Sequence, residues 1–109
     1  MYKQGTIVLI PVPFTDLSAS KKRPVLVMSN DNYNQQNQDI IVVAITSNPA
    51  QQGIPITNKE MVSGQLPKPS VIRCDKIYTL NQSIVVKTIG SLSLAVRAAV
   101  KVEINKLIS

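Results

Sequence analysis

The apolar run from Ile40 to Ile45 is the feature of this sequence that most constrains its fold. The run follows Asp39, and Asn48-Pro49 ends it shortly after Thr46. A strand formed here presents apolar side chains on both faces, so it needs a covering layer of protein on each side. We therefore predict that residues 39–46 form a central β-strand.

Shorter runs rich in β-branched residues predict further strands, and turn-forming residues separate them. The second strand is expected to open at Pro24, a position where a missing backbone donor costs least. We predict strands at residues 6–10 (fraying into 11–14), 24–28, 51–57, 70–80 and 84–88, connections at 15–20 and 58–69, a loop or one helical turn at 29–38, and a break at Gly90-Ser91.

The segment from Ser70 to Leu80 carries the charged residues whose facing matters most. Period-two alternation places Val71, Arg73, Asp75 and Ile77 on one face, and Ile72, Cys74, Lys76 and Tyr78 on the other. Arg73 and Asp75 are therefore predicted to be neighbours on one face. Cys74 is predicted to lie in the core, on the opposite face.

From Leu92 onward the apolar spacing becomes helical, with Val96, Val100, Ile104 and Leu107 recurring at three and four residues. Ser91 or Ser93 is the expected N-cap. Short strands in series followed by one terminal helix predict a mainly β fold, in which a small, strongly bent antiparallel barrel is closed by a C-terminal α-helix. The length of 109 residues predicts a single domain spanning residues 1–109.

The composition favours a polyanionic partner. Lys and Arg number 12 against 6 Asp and Glu, a net charge of +6. With one cysteine and no histidine, neither a disulfide nor a zinc cluster of these residues is expected, and we predict no metal and no cofactor. No apolar run approaches the ~20 residues that cross a bilayer, and no signal-peptide pattern is present, so a cytoplasmic protein without membrane contact is expected.

Two predicted strand ends carry groups suited to a phosphate. Arg23 stands at the start of one strand, and the hydroxyls of Thr46 and Ser47 stand at the end of another. A guanidinium is a planar fork of donors that stays charged at physiological pH, so it binds a phosphodiester and stabilises extra charge in its transition state. Lys21 and Lys22 are expected to steer phosphates. Nucleic acid is therefore the predicted ligand.

Motifs along nearly the whole chain, in order and at these spacings, support a more specific interpretation. They are Gly5-Thr6-Ile7-Val8, Lys22-Arg23-Pro24-Val25-Leu26-Val27, Val43-Ala44-Ile45-Thr46-Ser47, Ser70-Val71-Ile72-Arg73-Cys74-Asp75 and Lys87-Thr88-Ile89-Gly90-Ser91-Leu92. Together they resemble the MazF/PemK (Kid) toxins of bacterial type II toxin-antitoxin systems.

The resemblance implies an SH3-like barrel that forms a homodimer, cleaves single-stranded RNA at a short sequence, and is inhibited by a cognate antitoxin with an acidic, partly disordered tail. Contact with DNA is expected only through the antitoxin complex. The family's catalytic positions correspond to Arg23, Thr46, Arg73 and Asp75. Some members also use a histidine in the loop after the first strand, where this chain has Phe14-Thr15-Asp16-Leu17-Ser18.

Structural roles remain open beside the catalytic ones. Arg23 is alternatively an exposed loop cation, Thr46 a hydroxyl that satisfies a backbone group at a strand end, and Arg73 with Asp75 a structural ion pair that lowers the pKa of the carboxyl group. Tyr33 and Tyr78 either stack on RNA bases or belong to a sparse core. The alternative functions are a gyrase-binding, non-catalytic toxin similar to CcdB, which this chain without tryptophan matches poorly, and a degenerate RNA-binding module.

Overall fold

The computed structural model describes residues 1–12 and 21–109, so the predicted turn at residues 15–20 and the segment around Phe14 lie outside the described residues. The strands are β1 (Thr6–Val12), β2 (Lys21–Val27), β3 (Asp39–Thr46), β4 (Ile54–Ile56), β5 (Met61–Gly64), β6 (Ser70–Asn81) and β7 (Lys87–Leu92). The α-helices are α1 (Asp31–Gln36) and α2 (Leu94–Ile108), and short 3-10 turns cover Asn58–Glu60 and Gln82–Ile84.

All the strands form one curled antiparallel sheet in the order β4-β6-β3-β2-β1-β7-β5. The curled sheet and the C-terminal helix α2 confirm the predicted mainly β fold, and the small antiparallel barrel that was expected is observed as a curled half-barrel. β3 lies in the interior of the sheet, between β6 and β2. Its predicted bounds are those observed.

The sheet carries a hydrophobic core on each face, and β3 contributes to both. Val43 and Ile45 belong to the first core, which also contains Val96 and Val100 of α2. The intervening residues of β3, such as Val42, belong to the second core, together with buried residues of β1 and β2. The prediction that β3 is covered on both sides is confirmed, because the apolar residues at successive positions enter opposite cores.

Helix α2 begins at the predicted cap. The Oγ of Ser93 accepts a hydrogen bond from the backbone N–H of Val96 at 3.3 Å, so Ser93 rather than Ser91 is the N-cap. The predicted apolar face is correct except at its end, where Leu107 is 57% exposed. No helix in the described part of the chain is long and apolar enough to span a membrane.

The start of β2 differs from the prediction. The strand begins at Lys21, and Pro24 lies inside it, paired with Leu9 of β1. Pairing of β2 with β3 ends at Val25 opposite Ala44. Pro24 therefore stands where β2 has a hydrogen-bonded neighbour on one side only, which is a usual position for a strand proline.

Strand β7 was predicted to end before Gly90-Ser91, but it runs through both residues to Leu92. A Cβ atom on Gly90 would lie 2.2 Å from the backbone oxygen of Ser63 in β5. The glycine therefore permits close approach of two strands, and β5 itself lies in the segment predicted to be a connection. The predicted strand at residues 51–57 is reduced to β4, and a 3-10 turn replaces the start of the strand predicted at residues 84–88.

An irregularity in β6 overturns the predicted alternation. Its pairing with β3 passes from Ile77 opposite Val43 to Arg73 opposite Ala44, so residues 74–76 have no counterparts on β3. An odd number of extra residues reverses the facing of all that follow. Arg73 and Tyr78, predicted to face opposite ways, consequently lie on the same face. Cys74 is buried in the first core, as predicted.

Candidate active site

Two cavities meet where β2 and β3 separate. The larger has a volume of about 410 Å³ and includes Leu66 of the first core in its wall. The smaller, of about 300 Å³, is lined by Ile10 and Val25 of the second core. Arg23 and Thr46 line both cavities. The two groups that the sequence assigned to a phosphate therefore lie together, at the junction of clefts on opposite faces of the sheet.

The surroundings of these two side chains leave them able to bind a ligand. The Arg23 side chain is exposed and has no hydrogen-bond or ion-pair partner among residues 1–12 and 21–109. The Oγ of Thr46 accepts a hydrogen bond from the backbone N–H of Asn48 at 3.2 Å. That bond confirms the strand-end role considered for Thr46, and it leaves the hydroxyl hydrogen for a second partner, since a hydroxyl both accepts and donates. Ser47 lines the larger cavity.

Both cavities are lined by cations and by no carboxylate among the described residues. The larger contains Lys22, Arg23, Lys68 and Lys87, and the smaller contains Arg23, Arg73 and Lys76. Clefts lined by charge of one sign concentrate ligands of the opposite sign. The sequence alone did not mark Lys68, Lys76 or Lys87, because their segments meet Arg23 only through strand pairing. The predicted residue Lys21 lines neither cavity.

Arg73 is held by two side chains. Its Nε and Nη2 donate to the two carboxylate oxygens of Asp75 at 3.2 and 3.1 Å, and its Nη1 donates to the Oε1 of Gln51. The hydrogen bonds from Arg73 hold the pKa of Asp75 below its ordinary value, and Asp75 raises the pKa of Arg73. The predicted structural ion pair is therefore present, with the predicted effect on the carboxyl group.

The two members of this pair line different sets of cavities. Arg73 lines the smaller cavity beside Arg23 and also a third cavity, which contains Glu103 of α2, whereas Asp75 lines only the third cavity. Asp75 lines neither of the two cavities that contain Thr46. The four residues proposed as catalytic therefore do not form one cluster: Arg23, Thr46 and Arg73 adjoin the smaller cavity, and Asp75 supports Arg73 from outside it.

The two tyrosines proposed for base stacking have different positions. Tyr78 is partly buried and lines the smaller cavity with Arg23 and Arg73, because the irregularity in β6 turns it to that face. Tyr33 lies in α1, which precedes the first residue of β3, Asp39, whereas Thr46 is the last residue of that strand. The two ends of β3 are about 23 Å apart. Tyr33 is therefore not brought together with the other proposed residues.

The described residues contain no group of three or more Asp, Glu or Cys side chains positioned to hold a metal ion, and the whole sequence contains no histidine. The described walls of these cavities supply guanidinium, ammonium and hydroxyl groups. Such groups bind anions and stabilise developing negative charge.

Comparison with protein families identifies the chain. A family model described as the PemK-like, MazF-like toxin of type II toxin-antitoxin systems matches residues 3–108. The chain belongs to this toxin family. The recognition based on the sequence motifs is thereby confirmed. A comparison with curated protein sequences gave no match.

Solved structures show the same fold as this PemK/MazF-like toxin. An endoribonuclease in complex with its cognate antitoxin, from a mycobacterial species, is 17% identical with a TM-score of 0.74, covering 99% of this chain and 95% of that one. MazF in a MazE–MazF structure from Deinococcus radiodurans is 22% identical with a TM-score of 0.72, covering 98% and 95%. Mycobacterium tuberculosis toxin MazF-mt6 is 21% identical with a TM-score of 0.69, covering 91% and 90%.

Proposed function

We propose that this toxin is an endoribonuclease that cleaves single-stranded RNA at the junction of the two cavities. One observation carries the proposal: Arg23 and Thr46 line both clefts, whose described walls contain cations and no carboxylate. A polyanionic chain can enter such clefts, and its phosphate at the junction meets a guanidinium and a hydroxyl. The family assignment and the endoribonucleases of similar fold support RNA as the polyanion.

The proposed reaction is attack by the ribose 2′-hydroxyl on the adjacent phosphorus. The O2′–P bond forms and the P–O5′ bond breaks, while the 2′-hydroxyl proton passes to a water molecule and another water molecule donates a proton to the departing O5′. The products are a 2′,3′-cyclic phosphate and a 5′-hydroxyl. Arg23 binds the non-bridging oxygens and stabilises the extra charge of the pentacoordinate phosphorane, while the Thr46 hydroxyl donates to one of those oxygens. In this scheme Arg23 acts as a positive charge and a hydrogen-bond donor.

Arg73 is proposed to act as a second cation, and Asp75 as the residue that positions it. A guanidinium has five N–H donors, and Asp75 and Gln51 accept three of those of Arg73. The remaining donors are sufficient for a phosphate oxygen in the smaller cavity. Asp75 is a poor general base here, because its pKa is lowered and its oxygens already accept hydrogen bonds from Arg73.

The remaining proposed contacts surround this centre. Lys21 and Lys22 steer phosphates, Ser47 donates a hydrogen bond to RNA, and Tyr78 stacks on a base. In this proposal Tyr33 does not contact the RNA segment that Arg23 binds. An acidic segment of a cognate antitoxin is expected to compete with RNA for the same cationic cavities. The single domain, the homodimer, and DNA contact only through the antitoxin complex stay predictions.

The decisive experiment incubates the purified chain with a long single-stranded RNA in EDTA and maps the ends of the fragments. We expect cuts at one recurring short motif, with 2′,3′-cyclic phosphate and 5′-hydroxyl ends. Arg23→Ala should abolish these cuts while retaining the wild-type circular dichroism spectrum. Lys59→Ala, which removes a cation outside both cavities, is the matched control and should cut normally.

Two outcomes would contradict the proposal. Wild-type cutting by folded Arg23→Ala would remove the guanidinium from the mechanism. Binding of RNA by the wild type without any cleavage would instead support the degenerate RNA-binding module.

A further inference from the structure

We propose that Lys68 and Lys87 form a separate binding subsite, in the larger cavity, for an RNA phosphate adjacent to the one held by Arg23 and Thr46. The subsite rests on the proposed function, since it defines how the same RNA continues beyond the cleavage point. It extends the substrate from one phosphate at the junction to a segment that also enters the cleft on the other face of the sheet.

Lys68 is presented by a segment that the fold holds in place. Leu66 is 4% exposed in the first core, and its backbone N–H donates to the Oδ1 of Asn58 at 2.6 Å. Pro67 and Pro69 flank Lys68 and restrict the backbone around it. On the other side, the Oγ of Ser70 donates to the backbone oxygen of Lys68 at 3.0 Å. The exposed ammonium therefore projects from a connection with little conformational freedom.

Lys87 reaches the same cavity from β7, at a definite distance from the junction. It pairs with Leu9 of β1, and Leu9 pairs on its other side with Pro24 of β2. The backbones of Lys87 and Pro24 are therefore two strand spacings apart, about 10 Å. This offset places Lys87 beside the junction rather than at it, as contact with a neighbouring phosphate requires.

The chemistry of the larger cavity favours RNA over an acidic protein segment. Neither Lys68 nor Lys87 forms an ion pair with a described residue, so both charges are available to a ligand. Gln65, Thr88 and Ser47 line the same cavity and offer hydrogen-bonding groups for ribose and base edges. The cavity is also continuous with Arg23, so one phosphodiester chain can reach both places.

The test measures binding of a fluorescent, non-cleavable RNA in which 2′-O-methyl groups block attack. Fluorescence anisotropy across a series of KCl concentrations gives the slope of log K against log salt. Each phosphate contact in single-stranded nucleic acid contributes about 0.7 to the magnitude of this slope. We expect the Lys68→Gln, Lys87→Gln double variant to reduce it by about 0.7, each single variant to reduce it by less, and Lys59→Gln to leave it unchanged.

A second series replaces single phosphodiesters by uncharged methylphosphonates. A neutral linkage next to the cleavage position should weaken binding by the wild type and have no further effect on the Lys68→Gln, Lys87→Gln double variant. The inference is overturned if the double variant keeps the wild-type salt slope, or if binding by the wild type is weakened only by a neutral linkage at the cleavage position itself. It is also overturned if the double variant loses only its binding to an acidic polyglutamate peptide.

The binding assay separates this inference from the proposed function. RNA that binds with the expected salt slopes but is not cut in its unmodified form leaves the subsite intact and removes the nuclease. Normal cleavage together with unchanged slopes in the lysine variants removes the subsite and leaves the nuclease.

Discussion

Replacing Asp75 by Asn tests whether this residue is a base or a positioning residue. The amide has nearly the size of the carboxylate but no charge, and it keeps a single acceptor oxygen. Asp75 now accepts from both the Nε and the Nη2 of Arg73, so the variant loses one of these two contacts. The hydrogen bond from Arg73 to Gln51 is unaffected. Arg73 is therefore less well oriented in Asp75→Asn but still present at the smaller cavity.

The two roles predict different magnitudes. Removing a general base typically lowers the rate by about 10²- to 10⁴-fold. Weakening an ion pair whose carboxylate side chain is 48% exposed has a small effect, and we expect a decrease in kcat/KM of less than about tenfold. The decrease should become larger in the Gln51→Ala, Asp75→Asn double variant, because Arg73 then loses both kinds of support. Arg73→Ala should be the most impaired, since it also removes the donors to phosphate.

The assay follows cleavage of a fluorogenic RNA oligonucleotide in single-turnover mode between pH 3 and pH 9. A positioning residue leaves the shape of the pH profile unchanged, whereas loss of a base removes the rise in rate on its acidic side. The reasoning is refuted if Asp75→Asn loses more than about 100-fold together with that rise, while Gln51→Ala is unaffected. Thermal melts of each variant verify that the fold is retained.

Three further predictions concern the ion pair and the core. In an NMR titration, Asp75 should show a pKa below 3.8, and this pKa should return towards 3.8 in Arg73→Ala. Because the pKa of Asp75 is lower in the folded than in the unfolded state, the pair stabilises the fold above about pH 3.8. That contribution is lost as the pH falls through the folded pKa. Leu26→Ala, at a side chain that is 0% exposed, should reduce the free energy of urea unfolding by about 2–5 kcal/mol, whereas Val62→Ala at 69% exposure should change it by less than about 0.5 kcal/mol. Gly90→Val should cost about 1–3 kcal/mol in the same measurement, since its Cβ would collide with β5; an unchanged midpoint would show that β5 is not closely paired there.

Features that depend on neighbouring residues were predictable from the sequence, and features that depend on strand pairing were not. The run around Val43 specified β3 because apolar residues at successive positions demand cover on both faces. Ser93 was one of two serines recognisable as a cap from their places before the helical spacing. The facing of Tyr78 could not be read in the same way. It follows from the three residues of β6 that have no counterparts on β3, and no local pattern in that segment marks them.

The same distinction applies to the site. Arg23 and Thr46 were identified because their chemistry and their places at strand ends are local properties. Lys68 and Lys87 lie far from them in sequence. Lys87 joins the larger cavity because β1 lies between β2 and β7, and Lys68 joins it from the connection between β5 and β6. For Asp75 the sequence predicted a neighbour correctly but not the cavity. Asp75 lies beside Arg73, as its sequence position indicates, yet it lines a different cavity from Thr46.

The position of Pro24 explains why β2 and β3 separate beside Arg23 and Thr46. The backbone N–H of Met28 donates to the oxygen of Ile41, so alternate residues of β2 before it, including Pro24, direct their backbone nitrogens towards β3. Continuing the register from Leu26 opposite Val43 would place Pro24 opposite Ile45, where proline has no hydrogen to donate. The ladder therefore loses a bond at the point where the strands diverge. The Arg-Pro sequence thus supplies the cation that we propose binds phosphate, and in the next residue it supplies the missing donor that favours an open cleft.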